Sequence, residues 1–139
     1  MKEEEILEYN KRCAEFLRAS KTDKRCSINP EYIFPTFTFY KAEMEPDYRG
    51  GSYLEHNEHC NIVALCEMKF HSDWNWIMEV RDKIIVLGFN VLIGNNNCVI
   101  EQPYGKSSLQ LPCIVDRTTK QAVVKAIDKF LTWYEKNNG

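Results

Sequence analysis

The stretch from Met68 to Ile84 constrains the fold of this chain more than any other, because its pattern changes there from strand to helix. Ser72 and Asp73 stand at the change, and either side chain can accept a hydrogen bond from the free N–H groups of a first helical turn. Trp74 and Trp76 follow at once. The spacing predicts a helix that buries Trp74 and leaves the ring of Trp76 for a loop, a subunit contact or a ligand.

Two other segments have helical spacing. Apolar residues recur every three or four positions between Glu3 and Ala19, and the strongest pattern follows Thr118 and Gln121, which are spaced as a capping box. The apolar stripe of this last helix is wider than one packed face requires, which indicates that part of the helix meets a second subunit. Its members are Val123, Val124, Ile127, Phe130, Leu131, Trp133 and Tyr134.

Strand patterns lie between the helices, and the element order α-β-β-α-β-β-α predicts an α+β fold. We expect a mostly antiparallel sheet of four to five strands packed with three helices. Long polar stretches at about 20–35, 41–60 and 102–112 are expected to be irregular loops of one domain, 1–139. The predicted strands are Thr36–Tyr40, Asn61–Phe70, Phe89–Ile93, Cys98–Glu101 and Cys113–Val115, with a turn at Gly94–Asn97.

Charge and hydropathy exclude two broad classes. The chain has 139 residues with 18 Lys and Arg against 20 Asp and Glu, and its formal charge of −2 argues against general nucleic-acid binding, which needs clustered cations. No apolar run is long enough to span a bilayer, and the acidic start lacks the pattern of a signal peptide. We therefore expect a cytoplasmic protein whose six cysteines are mostly thiols.

Two of the loops combine cations with aromatic side chains, a combination that suits a nucleotide-like ligand. Glycines at 50 and 51 permit close backbone approach, while arginine can pair with phosphate and tyrosine can stack on a base. The alternative is a flexible loop with incidental aromatics. The predicted ligand contacts are Tyr48, Arg49, Gly50, Gly51, Tyr53, Trp76, Tyr104 and Lys106.

Histidines and cysteines give weaker signals. His56, His59 and Cys60 offer zinc ligands, but their spacing departs from the common signatures, which favours a polar loop running into a strand. No pairing of a cysteine with a histidine is specific enough to predict a nucleophile. We therefore predict no metal, no cofactor and no catalytic residue, and a small hydrolase acting through these three residues is the least favoured alternative.

Three segments resemble a family of small proteins carried by Bacteroides-type bacteria and their phages. Lys69–Met78 is similar to the family pattern Y-H-S-S-W-D-W-L-M, with departures at Asp73 and Asn75. Tyr9–Leu17 and Ala122–Tyr134 are similar to its N-K-x-I-A-E-F and A-V-V-E-F-I-K-W-Y patterns. The likeness leaves out residues 20 to 60. It implies kinship and fold, and it transfers no activity and no catalytic residue.

The resemblance implies a phage context, in which small proteins without catalytic motifs act by binding. The leading expectation is a non-enzymatic, homo-oligomeric protein that sequesters host immune signals derived from nucleotides, such as cyclic nucleotides or cyclic ADP-ribose-like molecules. The alternative is a protein–protein interaction module that inhibits a host protein, with Trp133 as an aromatic anchor.

Overall fold

The computed structural model describes residues 1–21, 30–34, 62–102 and 111–138. The chain divides into two compact units, Met1–Met68 and Lys69–Gly139. The single-domain organisation stays a prediction. The predicted α+β class is confirmed, and the described residues form three α-helices.

The described residues of the first unit form one long helix, a small sheet and a short 3-10 helix. Acidic residues occupy the first turn of the helix, where they interact favourably with the positive end of the helix dipole. The strands are antiparallel in the order β1-β2-β3, and Tyr32 pairs with both Lys21 and Val63. The elements are α1 (Glu3–Phe16), β1 (Ser20–Lys21), β2 (Glu31–Ile33), β3 (Ile62–Ala64) and a 3-10 helix (Leu65–Glu67).

A buried asparagine fixes α1 against the end of the first unit. Asn10 is 1% exposed, and its side-chain Nδ2 donates to the carbonyl oxygen of Met68 at 3.2 Å. Tyr9 and Cys13 are buried on the same helix. Loss of this hydrogen bond would destabilise the fold more than loss of an exposed one, because the buried donor could not bond to water instead.

Two sequence predictions in this unit are wrong. The strand predicted over Asn61–Phe70 ends at Ala64, where a 3-10 helix turns the chain and leaves Cys66 exposed instead of on an inner face. The irregular loop predicted at about 20–35 contains β1 and β2, which pair with each other. The strand predicted at Thr36–Tyr40 lies outside the described residues.

The second unit packs a hairpin and a short third strand against two helices. Along β5, Cys98 and Ile100 are buried on the face that packs against the last helix, while the alternate residues face away. The strands are antiparallel in the order β4-β5-β6. The elements are α2 (Trp74–Val86), β4 (Asn90–Gly94), β5 (Asn97–Glu101), β6 (Ile114–Val115) and α3 (Thr119–Asn138).

The cap residues and the glycine in the sequence predicted the ends of these helices correctly. The Oδ1 atom of Asp73 accepts a hydrogen bond from the backbone N–H of Asn75 at 2.8 Å, so Asp73 is the cap of α2. Gly88, with φ of 101°, ends the same helix in a conformation that disfavours other residues. The Oγ1 atom of Thr118 accepts from the N–H of Gln121 at 3.1 Å, which confirms the predicted cap of α3.

The turn of the hairpin is fastened to the start of α3. Asn96 has φ of 58°, which asparagine tolerates, and its N–H donates to Thr119 Oγ1 at 3.0 Å. The N–H of Asp116 donates to the carbonyl oxygen of Asn96 at 3.0 Å, and Lys125 pairs with the Asp116 carboxylate at 2.6 Å. The first turn of α3 is therefore held in place by the hairpin.

The predicted single sheet of four to five strands is wrong, because the strands that the structure describes form two separate sheets of three. The width of the stripe on α3 also has an explanation within the chain. Val124 and Leu131, which widened the stripe, are 4% and 2% exposed. Trp133 is half-buried, with its ring edge-on to Phe89 at 5.9 Å. The stripe therefore gives no reason to expect a second subunit on this helix.

Candidate functional site

Most residues predicted to contact a ligand or a metal lie outside the described residues. These are Tyr48, Arg49, Gly50, Gly51, Tyr53, Tyr104 and Lys106 for the ligand, and His56, His59 and Cys60 for the metal. Their roles stay predictions. Trp76 is the predicted contact that the structure describes.

The prediction about the two tryptophans of α2 is wrong, because their roles are exchanged. Trp76 is 0% exposed, and its ring packs edge-on against Phe70 with centroids 4.8 Å apart. Trp74 is 38% exposed. The accessible ring on this helix is therefore that of Trp74.

Helix geometry explains why the sequence did not separate these two rings. At 100° per residue, Trp76 lies about 70° and Trp74 about 90° from the centre of the stripe formed by Ile77, Val80 and Ile84, on opposite flanks. Such a difference is small compared with the width of an apolar face. Trp74 is also the first residue of α2, so its side chain projects beyond the end of the helix.

A lysine from another helix accompanies the exposed ring. Lys120, in the first turn of α3, places its Nζ atom 5.9 Å from the centroid of the Trp74 ring, which is within the range of a cation–π contact. Trp74 itself begins α2, so side chains from the first turns of two helices approach each other here. The Asp73 carboxylate caps the N-terminus of α2 and offsets the partial positive charge of that helix end, so the ammonium group of Lys120 is the main positive charge beside the ring. We call Trp74 and Lys120 the Trp–Lys pair.

The Trp–Lys pair offers two kinds of interaction side by side. A partly exposed indole ring can stack on a planar base, and a lysine ammonium group binds phosphate as a point charge. No sequence signal pointed to Lys120, because the two residues lie far apart in the chain and meet only through the packing of α2 on α3. The exposed position of Trp74 could have been found from its place at the first helical residue.

His71 lies three positions before Trp74 in the loop that leads into α2. Its Nδ1 atom is buried and has no hydrogen-bond partner among the residues that the structure describes. Burial lowers the pKa of His71, so the imidazole is neutral at pH 7. A neutral ring can serve as acceptor or donor, but not as a fixed positive charge.

Thiol and metal chemistry find little support in the described parts of the chain. Burial raises the pKa of Cys98 to about 11, which keeps this thiol protonated and poorly nucleophilic at neutral pH. Within residues 1–21, 30–34, 62–102 and 111–138, no three His, Cys, Asp or Glu side chains are grouped to hold a metal ion. None of the helices in these ranges is long and apolar enough to cross a membrane.

The same unit also exposes a group of apolar side chains, at the end of α2 and on β4. The end of α2 exposes Ile85, Val86 and Leu87 at 46%, 82% and 40%, and β4, which follows, exposes Leu92 and Ile93 at 51% and 38%. Scattered apolar residues are normal on protein surfaces, but five within nine positions are not scattered. This stretch is a candidate contact surface.

Comparisons with protein-family models, with curated proteins and with solved structures find no match to this chain. The resemblance to small Bacteroides-type and phage proteins therefore stays a prediction. Any argument about function rests on the described side chains.

Proposed function

We propose that this chain is a non-enzymatic binding protein that sequesters a nucleotide-like ligand of the cyclic nucleotide or cyclic ADP-ribose-like class. The observation that carries the proposal is the Trp–Lys pair, in which the Lys120 ammonium group lies 5.9 Å from the half-exposed ring of Trp74. An aromatic ring beside a cation favours a ligand that combines a planar base with phosphate.

Sequence supports the same ligand class independently. The segment Tyr48–Tyr53 joins arginine and glycines to two tyrosines, and Tyr104 stands two residues before Lys106. Each repeats the combination of ring and cation found in the Trp–Lys pair. A base stacked on an aromatic side chain gains roughly 1–3 kcal/mol, and the cations contribute attraction that salt screens.

Isothermal titration calorimetry with a panel of cyclic mononucleotides, cyclic dinucleotides and cyclic ADP-ribose isomers tests the proposal. We expect at least one member to bind and binding to weaken as salt rises. Chromatography of the ligand after incubation should recover it unchanged, because a converted ligand means turnover by an enzyme. If no member of the panel gives a heat of binding, the proposal is wrong.

A matched pair of lysine variants tests the site. Lys120→Gln removes the ammonium group beside Trp74, whereas Lys129→Gln removes an equal charge from the exposed face of α3, about 13 Å further along the helix. We expect the first variant to weaken binding and to reduce its salt dependence, and the second to bind like the wild type. Equal affinities for the two variants would place the ligand elsewhere.

A further inference from the structure

Strand β4 is the longest edge strand that the described residues form. In the order β4-β5-β6 it lies at the edge of its sheet, and all five of its residues pair with β5. The other edge strands, β1, β3 and β6, have two or three residues each. A long edge matters because its outer N–H and C=O groups form a ready template for another strand.

The strand itself lacks the sequence features by which proteins usually protect an edge strand. Its residues, Asn90 to Gly94, include no charged residue and no proline, and the unbroken register against β5 leaves no room for a bulge. Leu92 is 51% exposed and Ile93 is 38% exposed. No strand among the described residues covers this edge, and its exposed side chains are apolar.

The register identifies the backbone groups that face outward. Gly94 pairs with Asn97 across a turn of two residues, and residues that flank such a turn form a hydrogen-bonded pair. Because hydrogen-bonded and non-hydrogen-bonded pairs alternate, Asn90 and Leu92 also direct their backbone groups toward β5. The N–H and C=O groups of Val91 and Ile93 point away, and no described strand pairs with them.

We propose that β4 pairs with β4 of a second copy of this chain. The strands run antiparallel about a twofold axis at Leu92, and the two three-stranded sheets become one of six strands. In this register Val91 of each copy forms a hydrogen-bonded pair with Ile93 of the other, so all four outward residues are satisfied. If the axis is centred on Val91 or on Ile93 instead, some of these outward residues lie opposite residues beyond the ends of the strand.

The chemistry of the strand favours its own copy as the occupant. Leu92 meets Leu92 of the second copy in a non-hydrogen-bonded pair, where side chains lie closest, and no like charges oppose each other. The pairing of five residues buries far less than the roughly 800 Å² per partner of a standard interface. The dimer is therefore weak and dissociates on dilution.

Sedimentation velocity from micromolar to millimolar protein tests the proposal. Leu92→Lys places like charges at the twofold axis, and we expect it to weaken dimerisation at least tenfold. Val115→Lys is the control, because Val115 is 73% exposed on the same sheet face, two strands from the β4 edge. We expect this control to dimerise like the wild type. A wild type that stays monomeric up to millimolar concentration, or a Leu92→Lys variant that dimerises equally well, overturns the proposal.

Amide hydrogen exchange on the wild-type chain tests the register without any variant. We expect exchange at Val91 and Ile93 to slow as the dimer forms, while Leu92, already bonded to β5, does not change. A dimer in which Val91 and Ile93 exchange as fast as in the monomer uses another surface, and the pairing of β4 is then wrong. Neither result depends on whether a nucleotide binds.

Discussion

Replacing the two tryptophans of α2 one at a time should destabilise the protein to very different degrees. Trp76→Ala removes a ring that is 0% exposed and packs edge-on against Phe70. Truncating a buried tryptophan costs about 3–5 kcal/mol, a total that already includes the contacts of its ring. Because a protein of this size is stable by about 5–15 kcal/mol, the variant should lose at least about a fifth of its stability.

Trp74→Ala should cost much less. A tryptophan side chain buries about 200 Å² when fully enclosed, so the 38% of Trp74 left exposed represents about 75 Å² never withdrawn from water. At about 25 cal/mol per Å², this fraction alone makes the loss about 2 kcal/mol smaller than for Trp76. Trp74 lies at a helix end open to solvent, so its removal also leaves no closed cavity.

Urea unfolding followed by far-ultraviolet circular dichroism measures both losses, with the slope against urea checked for constancy. Acrylamide quenching of tryptophan fluorescence gives an independent check. The part of the emission that is lost in Trp74→Ala should be quenched readily in the wild type, because an exposed indole is accessible to acrylamide. If Trp74→Ala destabilises the protein as much as Trp76→Ala does, the assignment of the accessible ring is wrong. The Trp–Lys pair then no longer supports ligand binding.

Four further predictions concern other parts of the second unit. Asp73→Ala should lower the free energy of unfolding by about 1 kcal/mol through loss of the cap, whereas Ser72→Ala should leave it unchanged in urea melts. Gly88→Ala should cost about 1–2 kcal/mol in the same assay, because φ is 101° although space around the new Cβ is open; a neutral effect would contradict the conformation. Iodoacetamide at pH 8 should alkylate exposed Cys113 and spare Cys98, as read by peptide mass spectrometry. Since burial raises the pKa of Cys98 from 9.0 to about 11, the unfolded chain loses this proton first, and stability should fall as pH rises between those values.

Signals that act within a few residues were readable from the sequence. Asp73, Gly88 and Thr118 mark helix ends because a cap or a left-handed turn needs only its own residue and the adjoining turn. The hairpin of β4 and β5 was predicted for the same reason, since asparagine and glycine between two apolar runs specify a turn.

Features that depend on distant partners were not readable. The two residues of β1 carry no strand pattern, and they form a strand only because β2 lies beside them. The Trp–Lys pair depends on how α2 packs on α3, which no local pattern encodes. Likewise, the sequence did not show that Trp76 is buried and Trp74 exposed. Both residues flank the apolar stripe at similar angles, so helix periodicity does not tell which of them faces the core.

Calorimetric titration of the wild type and of Trp74→Ala, side by side, with the tightest nucleotide of the panel tests ligand binding at the Trp–Lys pair most directly. Loss of a stacking ring worth roughly 1–3 kcal/mol should weaken binding by about 5- to 150-fold. The predicted result is a loss in this range in a variant that remains folded by circular dichroism. Equal affinity of the two proteins would contradict the proposed site, and binding of no nucleotide by the wild type would contradict the proposed function.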